Sequence, residues 1–422
     1  MSSEHESRKV TPDDYRTYSE IVWGQFRKYR ISYWSMWGVF ALFVLAMVSP
    51  LIAMNVPFYL YVPADVDQSA LQGVSLEMVQ GLSFPWLVAL FDQNFFGSGV
   101  DIFFNFLLFY FPTVLMGWFL VARKIGNPTK DDYRKRRTYY ALGATVIAGI
   151  GFAIVYQYGF RQPYVDYQYL ASIDGVSALF PPIEHSYRNV NLLSVNEGPS
   201  LEHLLGTDRE GRDVFTRILY GTRISLTIGI VAVGIYATIG MILGSLAGFF
   251  GGKVDAIILR LIEIMICFPV IFLLLTIAGF IDDPSVFHIM LIIGLTGWTG
   301  IARLVRGEFL RLRNQDFVQA ATALGLTRGR IIFGHVMPNA IQPVYVAATF
   351  GIAGAILIEA TLAFLGVGPP DVPSWGQILT SGRNTQDMTM ILASGFAIFL
   401  VISLLNLIGE GLRDATDPKL RK

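Results

Sequence analysis

The 422-residue chain is 53% hydrophobic and 15% charged, with a formal net charge of zero, against roughly 45–50% apolar and about 25% charged in an average soluble domain. The excess points to a membrane protein, and the neutral balance removes any global electrostatic pull towards nucleic acid; what charge does here depends on where it sits. The single cysteine, Cys267, and the five histidines, which lack the i,i+3 or i,i+4 pairing of a helical metal site, predict no disulfide, no metal and no cofactor.

The polar segment 1–33 ends in Arg27, Lys28 and Arg30 and has no early apolar core followed by a small-residue cleavage site, so it reads as a terminal segment rather than a removed signal peptide. A bilayer core of about 30 Å needs roughly 20 apolar residues of helix. Eight runs qualify: 34–54, 102–122, 139–158, 224–250, 256–280, 286–304, 341–365 and 389–408. Backbone groups in lipid must be satisfied within the segment, so these runs are predicted helices, and the fold class is an all-α polytopic membrane protein.

Segment 55–101 contains no Lys or Arg, whereas residues 123–137 contain seven. Because basic residues mark the cytoplasmic side, both termini are expected inside, with 55–101 outside. Segment 159–223 holds six Arg but is 65 residues long, a length at which charge no longer dictates topology; it reads as an external subdomain. The basic loop joins two runs into a hairpin, 102–158, whose removal leaves six spans of the same parity. Its Phe-rich first member either crosses the bilayer or lies buried in protein. The remainder divides into a core, 224–408, containing a cytoplasmic loop, 305–340, and a cytoplasmic tail, 409–422.

The loop contains Asp316, Phe317, Gln319, Ala320, Ala321, Leu324 and Gly325. Asp316 is suited to capping a helix, Gln319 to reaching back three residues, and Gly325 to the left-handed position that ends it. Phe317, Ala320, Ala321 and Leu324 share one apolar face, which fits either a groove in a partner protein or the chain's own membrane helices.

Elsewhere, Gly240, Gly244 and Gly248 repeat every four residues along one span, a stripe for close helix packing within the chain or against a sister subunit lining a path. Glu359 near the end of its span is a functional candidate by default, or a carboxylate satisfied by water or backbone. Arg260 and Glu263 read as a helix pair, and Pro269 and Pro343 as kinks. The charged run Asp208, Arg209, Glu210, Arg212, Asp213 reads as a self-satisfied collar leading through an amphipathic Val214–Leu219 stretch into the span, not as an acid/base site. Gly248 to Lys253 is a near miss to a phosphate loop, one residue short and followed by Val254 in place of Ser or Thr.

The series Gln319-Ala320-Ala321, Gly325, then His335-Val336-Met337-Pro338 resembles the E-A-A-x3-G-x9-I-x-L-P loop of ATP-binding-cassette import permeases, with Gln319 in place of Glu and with His335 and Met337 in place of Ile and Leu. Leu205 to Val214, Glu359 to Gly368 and Gly409 to Pro418 resemble segments of the dipeptide/oligopeptide branch, in the same order, over about half the chain. The resemblance implies that the chain is a permease subunit in a bacterial inner membrane and not an enzyme. Its loop would dock into an ATPase through Phe317, Gln319, Ala320, Ala321, Leu324, Gly325 and Pro338. It also implies two ATP-binding subunits, a homologous second permease and an extracytoplasmic solute-binding protein as partners, with lipid around them and no nucleic acid. A permease for nickel or another small solute, and a secondary transporter, are the alternatives; the latter would place more ionisable residues at mid-span.

Overall fold

The computed structural model describes residues 18–64, 66, 80–123, 130–158 and 165–417. Most of the predicted terminal segment, the centre of the basic loop and the last residues of the tail lie outside these. Seven helices are long and apolar enough to cross a membrane, and a bent pair makes a possible eighth.

A short helix, α1 (Tyr18–Phe26), precedes α2 (Arg30–Ile52). α2 is apolar all round, and Trp34 and Phe40 stand exposed on it, as expected of a surface whose solvent is lipid. The hairpin is α3 (Gly99–Arg123) and α4 (Lys130–Tyr158). Its Phe-rich first helix is not sheathed by protein: Phe103, Phe111, Leu115 and Phe119 are exposed.

The longest helix, α5 (Val214–Phe250), has 37 residues. At 1.5 Å per residue it measures about 55 Å, nearly twice the thickness of a bilayer core of about 30 Å. The amphipathic stretch Val214–Leu219 forms the continuous first turns of α5, capped by Asp213, whose carboxylate accepts the Thr216 N–H at 2.7 Å.

The predicted span 256–280 is not one helix. It breaks into α6 (Gly252–Cys267) and α7 (Val270–Ala278), bent by 84°, because Pro269 supplies no N–H and its ring excludes the preceding residue from helical geometry; Phe268 is extended, at φ −91° and ψ 128°. α8 (Val286–Thr296) opens on a capping box between Ser285 and His288 and runs into α9 (Trp298–Leu312). After the short α10 (Asp316–Ala323) come α11 (Gln342–Phe364), α12 (Trp375–Thr385) and α13 (Met388–Thr416). Pro343 lies in the first turn of α11, where its missing N–H costs nothing, so it starts the helix instead of kinking it. Ile228, Val233, Ile293, Ile301, Val305 and Phe309 belong to the main core around α5, α8 and α9.

The two expected external segments form one lobe. β1 (Tyr59–Val62) sits between β2 (Gly81–Ser83) and β3 (Ser177–Leu179), antiparallel to both, with Leu60 opposite Ser83 and Ala178. Met54 donates its N–H to the Ile183 carbonyl at 3.0 Å, tying the lobe to the end of α2.

A buried arginine joins lobe, hairpin and core. Pro50 lies inside α2 and has no N–H for the carbonyl four residues back. That carbonyl, of Ala46, accepts Nε of Arg223 at 2.7 Å. Nη2 of Arg223 reaches Asn105 Oδ1 at 2.9 Å, and Nη1 faces the Asp101 carbonyl at 3.2 Å and its carboxylate at 3.4 Å. Tyr187 completes the set, donating its hydroxyl to Asp101 at 2.9 Å. Burial raises the Tyr187 hydroxyl well above the ordinary phenol range, with the adjacent Asp101 carboxylate adding to it, so it remains a donor.

Candidate coupling site

α10 stands on the face opposite the β lobe, between α9 and the one-turn helix Arg328–Ile331. Its N-cap is Gln315, without a side-chain bond, and Asp316 occupies the first turn, where a carboxylate complements the helix dipole. The expected cap is thus displaced by one residue. Gln319 does reach back, but to the Asn314 carbonyl at 3.2 Å. The other end closes as anticipated: Gly325 has φ +76°, its N–H donates to Thr322 and that of Leu326 to Ala321, at 3.0 and 3.2 Å. These two bonds form a Schellman motif.

The helix is two-sided. Val318 and Ala321 are buried, at 4% and 5% exposure, in the cluster with Phe309, Ile331, Ile332 and Val336. Phe317 and Leu324, at 41% and 81%, face outward together with Gln319 and Ala320. The four apolar residues predicted to share one face are therefore split: Ala321 fastens the helix to its own chain, and Phe317, Ala320 and Leu324 are left for something else. Further along the loop Phe333 is exposed as well, as are Arg328 and Arg330.

Past this, Ile332–Val336 form a π-turn. It is widened just ahead of Pro338, which has no N–H to close the preceding α-turn, and Asn339 Nδ2 secures the His335 carbonyl at 2.7 Å. Pro338 is exposed and lines an apolar groove of about 410 Å³ with Trp23, Phe26, Tyr345, Ile408 and Leu412.

The glycine stripe faces α9 of the same chain. A Cβ at Gly240 would stand 2.7 Å from Ile301 Cβ, one at Gly244 2.5 Å from the Ala302 carbonyl, and one at Gly248 2.5 Å from Phe309 Cβ. Small residues here let α5 and α9 touch backbone to side chain. Close by, Arg306 binds Asp255 through Nη2 at 2.7 Å, and Arg313 donates to the Gly248 carbonyl at 3.1 Å, fixing α9 and α6 to the same end of α5. Gly251 and Gly252, at φ +65° and +54°, make the turn between α5 and α6. The near miss to a phosphate loop is thus a helix end.

Glu359 is 3% exposed in α11, far from α10, and one of its carboxylate oxygens, Oε2, has no hydrogen-bond partner among the described residues. It lines a small cavity with Ser374 and Gln377 beneath the start of α12. Arg260 and Glu263 pair at 2.8 Å on the surface. In the collar, Asp208 accepts the backbone N–H groups of Glu210 and Arg212 and the Arg212 Nε at 2.8 Å, which commits both its oxygens to structure. Two features were not read from sequence: the Arg223 cluster, whose members stand up to 177 residues apart, and the approach of His185 to His203, whose rings stack at 4.5 Å. This pair lies outside the i,i+3 and i,i+4 helical spacings considered in the sequence, because the fold brings together two loop positions distant along the chain.

Residues 240–422 match the family described as binding-protein-dependent transport system inner membrane component. The dipeptide transport system permease protein DppC of Alkalihalophilus pseudofirmus is 41% identical over 249 residues, 58% of this chain and 82% of that protein. The oligopeptide transport system permease protein OppC of Bacillus subtilis is 38% identical over 251 residues, again 58% and 82%. Among solved structures, an inward-facing MetNI methionine ABC transporter chain aligns with 48% of this chain and 97% of its own at a TM-score of 0.41 and 19% identity. Such permeases are transport components of assemblies that contain ATP-binding and other subunits. With helical spans, a capped helix standing off them and this identity over most of its relatives' length, the chain belongs to the inner-membrane permease family of binding-protein-dependent transport systems, alongside the dipeptide and oligopeptide permeases.

Proposed function

We propose that this chain is one of two membrane-spanning halves of an ATP-driven importer of dipeptides or oligopeptides, and that α10 is the element through which an ATPase subunit moves it. The observation that carries the reading is the division of α10: Val318 and Ala321 are rooted in the core while Phe317, Ala320 and Leu324 stand free. A helix anchored on one side and apolar on the other takes up force from a partner's groove and passes it to the spans behind it. The peptide cargo is supported by the names of the relatives, and the sidedness, with α10 and both termini in the cytoplasm and the β lobe outside, by the run of basic residues 123–137. A homologous permease, two ATP-binding subunits and an external solute-binding protein complete the assembly.

The test uses Ala320→Asp and Leu324→Asp, which place a carboxylate on the free face without touching the core. Each is expected to abolish ATP-driven peptide uptake and to strip the ATPase subunits on purification, with insertion and thermal stability unchanged. Normal uptake by both variants at normal abundance would refute the coupling role.

A further inference from the structure

We propose that His185, Glu202 and His203 form a binding site for a divalent transition cation of the zinc class on the lobe side of the protein. The three side chains offer ligand atoms within 4.8 Å of one another. Atoms bound to one tetrahedral zinc stand about 3.3 Å apart, a gap that rotamer shifts of the exposed Glu202 and the half-buried His185 close.

What distinguishes the cluster from a chance meeting is the setting of His203. It is 4% exposed, and its Nδ1 lies 3.0 Å from Asp213 Oδ1, while the other oxygen of Asp213 caps α5 through Thr216. A carboxylate held in this way can accept an Nδ1–H and turns Nε2 of the same ring away from it as the free ligand atom, the outer-shell arrangement that orients metal-binding histidines. The backbone of His203 is fixed as well: its N–H donates to Ser200 Oγ at 3.0 Å, and its carbonyl accepts the N–H groups of Ser200 and Gly206. His185 and Glu202 both line an adjoining open cavity of about 390 Å³, which leaves room for a water or an incoming group as fourth ligand.

Two imidazoles and a carboxylate suit zinc and its neighbours and not the oxygen-seeking calcium or magnesium. His185 follows the strand pairing of the lobe, and Glu202 and His203 precede α5, so a bound cation would clasp the lobe to the collar from which the longest helix springs.

The test is elemental analysis of the tag-free, full-length protein after equilibration with zinc and gel filtration in detergent. One zinc per wild-type chain is expected, with none retained by His185→Gln and unchanged content in His288→Gln, a control at a distant helix cap. Asp213→Asn keeps an oxygen for the cap but turns an amide donor towards His203, and zinc affinity is expected to fall about 10–100-fold. Wild-type protein emerging without zinc, or His185→Gln and Asp213→Asn retaining it as tightly as wild type, would overturn the assignment.

Discussion

Arg223 and Asp101 are both fully buried, so removing one of them strands the other's charge away from water. Asp101→Ala is expected to destabilise the protein by about 3–5 kcal/mol, whereas converting Arg223 and Asp101 together to leucine should cost far less; thermal unfolding of the single and double variants in detergent distinguishes these outcomes. Tyr187 bears on the same pair through pH. Its protonated form is neutral and its folded-state pKa is raised, so its contribution is fully present below the unfolded value of about 10 and is lost as pH climbs through the folded one. Stability should decline on the alkaline side, and Tyr187→Phe should flatten that decline while costing about 1–3 kcal/mol at neutral pH through the acceptor left unsatisfied on Asp101. Unfolding midpoints at a series of alkaline pH values provide the measurement. Nothing in the local sequence of Arg223 marks it as the hub, since its partners come from α2 and α3, more than a hundred residues earlier. The glycine stripe, by contrast, was visible as a stripe, but whether α9 or another subunit filled it is a tertiary fact that a four-residue period does not encode.

At the scale of elements, the boundaries that sequence revealed are those set by local chemistry. The left-handed Gly325 and the charge-free apolar runs are cases in point. Where tertiary contacts chose among local options, the outcome differed. α10 begins one residue earlier than Asp316 suggested, and rotation of the helix on its axis turned Ala321 inward. The Schellman closure of α10 permits a direct test. Gly325→Ala forces a Cβ into a left-handed conformation, a cost of about 1–2 kcal/mol, and because nothing lies within 4 Å of that Cβ the cost is purely conformational. Hydrogen exchange at residues 321–326 should quicken severalfold while the spans remain protected, and uptake should fall in part. Exchange rates equal to wild type would mean that the helix end is held by something other than this motif.

For the molecule as a whole, the count of spans was readable because lipid imposes a length and forbids charge, and the break at Pro269 was readable only as a possible kink because its 84° angle depends on what α7 packs against. The hairpin 102–158 looked detachable by parity. Its first helix starts before residue 102 and is tied in: Phe104 belongs to the main core and Asn105 binds Arg223, as do Val100 and Asp101 respectively just ahead of the predicted bounds. Deleting residues 99–158 should therefore abolish accumulation in the membrane, and adding Arg223→Leu to the deletion should restore part of it; immunoblots of membrane fractions test this.

The same arginine carries a consequence for biogenesis. α2 and α3 leave the ribosome well before position 223 does, so Oδ1 of Asp101 and Oδ1 of Asn105 must wait in the bilayer or in the insertion machinery for a guanidinium that has not yet been translated, whereas the Ala46 carbonyl already has the Ser49 hydroxyl of its own helix at 3.0 Å. The amino-terminal third can therefore lock only after the top of α5 arrives. A nascent chain stalled short of that point would be the species most exposed to membrane quality control.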